Sequence, residues 1–149
     1  MKIQSPSFQD QGEIPKKYTC DGENISPPLN FVDVPQDGSV QSLVLIVDDP
    51  DASSGDFVHW LVFDIPANAV EVTEGRPPYN GIVGLNDFGR NDWGGPCPPS
   101  GRHRYQFTLY ALNQVLNLPP TAKKSDLLPL IEANLIDQTK LTASYSREF

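Results

Sequence analysis

The stretch "SLVLIVDDPDASSGDFVHWLVFDI", residues 42 to 65, decides the fold. Two apolar runs, 42–49 and 57–65, flank a seven-residue loop of Pro, Asp, Ala, Ser and Gly. Short runs rich in β-branched and aromatic residues, bounded by turn residues, read as strands. The pair reads as an antiparallel hairpin. Side chains alternate between the faces of a strand. Parity therefore puts Leu43, Leu45, Val47 and Asp49 on one face, and Phe57, His59, Leu61, Phe63 and Ile65 on one face of the second strand. Pairing across the loop sets Asp49 near Phe57 and diagonally beside His59.

A third strand, "HRYQFTLYAL" (103–112), emerges from the Gly/Pro-rich "GGPCPPSGR". His103, Tyr105, Phe107, Leu109 and Ala111 share one of its faces; Arg104, Gln106, Thr108 and Tyr110 take the other. Weaker strand signals lie at 2–8, 28–32 and 140–146. One helix is expected over 125–136, with Ser125 as N-cap, Asp126 at its positive end and Pro129 within the first turn. Many short strands with one late helix indicate a mostly β, β-sandwich-like fold with a peripheral helix. Residues 1–149 are expected to form a single domain.

Composition narrows the function. A net charge of −8 argues against nucleic acid or an anionic membrane as the main partner, since both call for a basic patch. No run is long and apolar enough to cross a membrane, and none follows Lys2 as a secretory signal would. A cytoplasmic protein is expected. In that compartment Cys20 and Cys97 are expected as free buried thiols, a disulfide being the alternative.

Each of the three clear strands carries one titratable residue near the end of an apolar face: Asp49, His59 and His103, with Tyr105 beside the last. Taken singly, these are a strand terminator, two satisfied core histidines and a core tyrosine. Both histidines of the chain, however, fall at matching positions beside its densest Gly/Pro loops, which favours one shared site. Two imidazoles, a phenol and the N–H groups of Gly94 and Gly95 would suit phosphate or carboxylate oxygens. Prolines 96, 98 and 99 would keep the hollow open, and Asp49 would orient a histidine ring. A metal set of Asp49, His59 and His103, with Asp51 in reserve, matches by residue type only and lacks a local ligand spacing. Neither metal nor other cofactor is expected. No serine sits in a nucleophile elbow, and Cys97 lacks a helix N-terminus or closely set base.

"DPDASSGDFVHW" (49–60) followed by "GPCPPSGRHRY" (95–105) resembles the phosphatidylethanolamine-binding proteins, also called Raf kinase inhibitor proteins. "YTCDGENISPPL" (18–29) and "NDFGR" (86–90) are similar to their shorter bacterial and archaeal branch. The resemblance implies a β-sandwich-like fold with a large antiparallel sheet, a smaller sheet and peripheral helices. It also implies a small pocket for phosphate or phosphoryl head groups, formed here by Asp49, Asp51, His59, Gly95, Pro96, His103 and Tyr105. Arg104 matches the motif, but parity turns it away, toward an ion pair with Asp48 or Asp51.

Ser53 stands where a second Pro is common, and Phe31 and Trp93 replace Trp and Tyr. The chain stops at "SYSREF", without the helix that partly covers the pocket in animal members. A more open pocket, or one covered by a second subunit in a homodimer, is expected. The resemblance implies a non-enzymatic binding or regulatory protein for a small anionic ligand, with an unidentified kinase or protease as a possible protein partner. A serine protease inhibitor acting through the proline-stiffened loop is the main alternative, and a His59/Asp49 hydrolase or lyase on a phosphate ester is a third.

Overall fold

The computed structural model describes residues 1–148. The three long apolar runs form adjacent strands: β4 (Ser42–Asp49), β5 (Phe57–Ile65) and β8 (Arg102–Leu112). With β2 (Gly12–Glu13), β7 (Ile82–Val83) and β9 (Leu135–Ser146) they build a six-stranded sheet ordered β2-β9-β8-β4-β5-β7. A second sheet, β1-β3-β6, consists of Lys2–Gln4, Leu29–Val32 and Glu71–Val72. The small sheet is antiparallel; the large one is mixed, because β2 runs parallel to β9. The large antiparallel sheet expected from the resemblance is thus present, with the two-residue β2 as its one parallel edge.

Strand β4 is buried at every position because it is central and covered on both faces. On one face Leu43, Leu45, Val47, Phe107 and Leu109 pack against Ile3, Leu29 and Phe31 of the small sheet. On the other, Val44, Ile46, Leu61 and Phe63 meet Leu127 and Ile131 of α1 (Lys124–Asn134).

Parity along β5 breaks at the functional end. Val47 pairs with Trp60 while Asp48 pairs with Val58, so His59 is the extra residue of a β-bulge. Beyond it the faces exchange: Trp60 and Val62 point between the sheets, whereas Leu61 and Phe63 turn under the helix. A second irregularity, around Asp64 with φ +53°, returns Ile65 to the inter-sheet face. The alternation expected for Phe57 to Ile65 therefore fails for Leu61 and Phe63.

The helix starts and ends earlier than its pattern suggests. Lys123 is the N-cap, its N–H donating to the Asp126 carboxylate at 2.9 Å, and Ser125 lies inside. Pro129 consequently falls in the second turn, where it forfeits the bond to the Ser125 carbonyl. The chain turns extended at Leu135, and β9 begins there rather than at residue 140.

Lys124 is shared between two carboxylates, reaching Asp48 at 2.6 Å and Asp56 at 2.7 Å. Burial raises the Asp48 carboxyl to about 6, outweighing its hydrogen bond from Lys124. A raised native pKa means the folded state holds its proton more tightly than the unfolded chain. This contribution is whole below the ordinary carboxylate pKa and is lost as pH rises through about 6. Thermal melts of the wild type and Asp48→Asn across this range are expected to show the variant gaining stability relative to the parent as pH rises. Parallel curves would contradict the assignment.

Candidate functional site

The hairpin β4–β5 and the start of β8 bring Asp49, His59, His103 and Tyr105 to one rim of the inter-sheet core. Asp49 pairs with Phe57 across the hairpin, as its position in the sequence implies. A cavity of about 210 Å³ opens there, lined among others by Asp49, Phe57, His59, Phe88, His103 and Tyr105.

Each polar group has a defined orientation. His103 Nδ1 donates to Asp49 Oδ2 at 2.6 Å, and Asp49 Oδ1 accepts the Asp51 N–H at 2.8 Å. Asp49 thus holds a histidine ring and its own turn. His59 Nδ1 lies 2.6 Å from the Gly94 carbonyl, which can only accept, so Nδ1 carries the proton and Nε2 remains for the cavity. His59 is boxed by Phe57, Phe88 and Tyr105, with ring centroids 5.1, 5.4 and 5.3 Å away. Burial in this box pushes its pKa below the ordinary imidazole value.

Tyr105 is 1% exposed, and among the described residues no atom accepts its hydroxyl hydrogen. Among the described residues no sealed polar side-chain atom lacks a partner, so this hydroxyl opens on the cavity it lines. Burial raises its pKa far enough to keep it a proton donor at any physiological pH.

Asp51, Gly95 and Pro96 play other parts. Asp51 takes a two-pronged grip from Arg104, at 2.9 and 2.8 Å, and also accepts the Arg104 N–H. The guanidinium holds the Asp51 carboxyl down at about 2. Of the two partners expected for Arg104, Asp51 is the one it has. Gly94 N–H donates to the His59 carbonyl and Gly95 N–H to Asn24 Oδ1, so neither serves as the free anion nest expected of them. The Pro96 carbonyl accepts the Cys20 N–H. Asp51, Gly95 and Pro96 are not among the residues that line the cavity.

Cys20 and Cys97 form a disulfide with Cα atoms 5.4 Å apart, correcting the expectation of free thiols. That expectation rested on an assumed reducing compartment. The packing of the 94–97 loop against residues 18–24 is what brings the two together. The bridge also removes Cys97 as a nucleophile.

Phe88 and the residues behind it carry no obvious chemical signal in the sequence. Asn86, 2% exposed, donates to the carbonyls of His59 and Asp92 and accepts the N–H groups of Phe88 and Arg90. Asp87 accepts the Val58 N–H. Together they fold "NDFGR" so that Phe88 becomes a wall of the cavity. A polar Asn-Asp pair in a loop was the available signal, but only the fold says what it supports.

The whole chain has counterparts. Residues 4–146 match the model of a family described as phosphatidylethanolamine-binding protein. A UPF0098 protein of Methanothermobacter thermautotrophicus is 47% identical, the match covering 99% of each chain. One from Aquifex aeolicus is 44% identical over 99% of this chain and 90% of its own. Among solved structures, the putative phosphatidylethanolamine-binding protein homolog CT736 of Chlamydia trachomatis superposes with a TM-score of 0.92 at 37% identity, covering 99% of this chain and 97% of its own. YbcL of E. coli, described as a member of the mammalian family, gives 0.90 at 27% identity, covering 99% and 98%. With its paired sheets, its hairpin-borne His59 and a match over nearly its full length, the chain belongs to the phosphatidylethanolamine-binding protein family.

Proposed function

We propose that the cavity at the His59–His103 rim binds a small anion, phosphate or a phosphoryl head group, and that the protein acts by binding rather than by turnover. One observation carries this reading: the buried Tyr105 hydroxyl, partnerless among the described residues, faces a cavity that two imidazoles also line. Tyr105 donates to a ligand oxygen, and His103 Nε2, its ring held by Asp49, donates when protonated. His59 Nε2 accepts from a P–OH group or takes up a proton and donates. Asp51 anchors the loop and β8 through Arg104, while Gly95 and Pro96 serve through their backbones.

An anion arriving beside His59 offsets the burial that keeps the ring neutral, so binding draws in a proton. Affinity falls as pH rises above the free ring's pKa, by up to about tenfold per pH unit for one proton. The family's name makes phosphoethanolamine a natural probe beside inorganic phosphate. Calorimetric titration is expected to show saturable binding of either, weakened at least about tenfold in Tyr105→Phe, as loss of a hydrogen bond to a charged group entails. Equal affinity in the variant would overturn the assignment. Release of alcohol from a phosphate ester would favour the hydrolase reading, and inhibition of a serine protease without anion binding the inhibitory-loop reading.

A further inference from the structure

The bulge that aims His59 at one cavity aims the next residue, Trp60, at another. This second hollow, about 270 Å³, lies between the 24–26 segment, the turn at Gly75, β7 and residues 91–93. Trp60 is 2% exposed and Ser26 4%, yet among the described residues no atom pairs with the Trp60 indole N–H or the Ser26 hydroxyl. Since no sealed polar side-chain atom lacks a partner among the described residues, both groups reach the hollow they line. An indole N–H is an obligate donor, and nothing among the described residues receives this one.

The remaining lining alternates donors and acceptors. Asn24 spends its oxygen on the Gly95 N–H and keeps its amide hydrogens. Asn91 spends its amide hydrogens on the Val83 and Pro120 carbonyls and keeps its oxygen. Asp92 gives one oxygen to Arg90 Nε and keeps the other. Trp93 stands edge-on to Trp60, centroids 5.4 Å apart, as an apolar wall. No Lys, Arg or His lines the hollow, and Asp92 is its only charge. With Asp92 ion-paired to Arg90, such a lining offers no cation to an anion and suits hydroxyl groups, each of which both donates and accepts. Counted as water at about 30 Å³ each, the space holds roughly nine molecules, enough for a hexose-sized ring.

We propose that this hollow is a second binding site, separate from the anion cavity, for a small neutral polyol such as a monosaccharide or a cyclitol. Trp60 N–H and Ser26 donate to it from the floor, while Asn91 and Asp92 accept at the rim. Trp60 and Trp93 are the only tryptophans of the chain and both line this hollow, so tryptophan emission, excited to the red of tyrosine, reports on its walls. Titration of the full chain with glucose and with myo-inositol is expected to give a saturable change in emission in the millimolar range for at least one of them. Ser26→Ala should weaken it roughly tenfold, and the rim variant Asp92→Asn, at an exposed position, several-fold. His103→Ala should leave it unchanged, and Ser26→Ala should leave phosphate calorimetry unchanged, so this proposal and the anion reading fail independently. Absence of a saturable change with either probe, or the same titration in both site variants, would overturn the proposal. So would the same emission change produced by potassium chloride alone, which would mark Asp92 as a cation site.

Discussion

Reducing the Cys20–Cys97 bridge, or replacing both cysteines by serine, is expected to lower the unfolding free energy by about 4 kcal/mol. The two residues lie 77 positions apart, so the bridge removes much of the unfolded chain's freedom. Local structure adds to the effect. The loop's first half is anchored by Gly94, Gly95 and Pro96, through bonds with His59, Asn24 and Cys20. Residues 97–101 make no hydrogen bond to the rest of the described chain, and Pro98 and Pro99, with no N–H to donate, wall the anion cavity. Apart from the packing of the buried Pro98, the bridge is what ties that half to the rest of the described chain. Urea denaturation with and without a dithiol should show a clearly lower midpoint on reduction, together with weaker phosphate binding. Superimposable curves would show that the bridge contributes nothing.

Gly95→Ala is expected to cost about 3 kcal/mol and to weaken anion binding with it. The need for glycine here arises from close approach, not from an unusual backbone angle. A Cβ on Gly95 would overlap the Tyr18 carbonyl and Asn24 Oδ1, and the first of these is backbone that cannot swing aside. Relief means pushing the loop away from residues 18–24, breaking the 2.9 Å bond from Gly95 N–H to Asn24 and straining the nearby bridge. The Gly94 carbonyl that fixes the His59 ring moves with it. Thermal denaturation and a phosphate titration of the variant measure both consequences. A melting temperature equal to the parent's would show that the loop has slack that the packing denies.

The strands that carry the site were legible because they are central. Residues 42–49 and 57–65 have the bounds expected from their apolar runs, and 102–112 differs by one residue. Strands β2, β6 and β7 span two residues each, too short for any periodicity. The same burial that made β5 easy to find hid its bulge. With both faces apolar, the exchange of Leu61 and Phe63 leaves no trace in hydropathy. That Asp49 and His103 share one rim and that Arg104 turns away from it followed from parity because β8 is unbroken through those positions. Parity set Asp49 beside His59, however, whereas the ring it holds is that of His103, and it left Arg104 between Asp48 and Asp51. The disulfide and the Phe88 wall depend on contacts between distant loops, which residue identity alone cannot supply.

The chain has only two histidines, so their imidazole resonances can be followed individually by NMR from acid to neutral pH, with and without phosphate. Without phosphate, His59 should titrate below the ordinary imidazole value of about 6.5, because it is buried among Phe57, Phe88 and Tyr105. Saturating phosphate should raise its pKa by about one unit or more, as an anion lodged beside the ring stabilises the imidazolium. A His59 titration that phosphate leaves where it was would contradict an anion site at this rim.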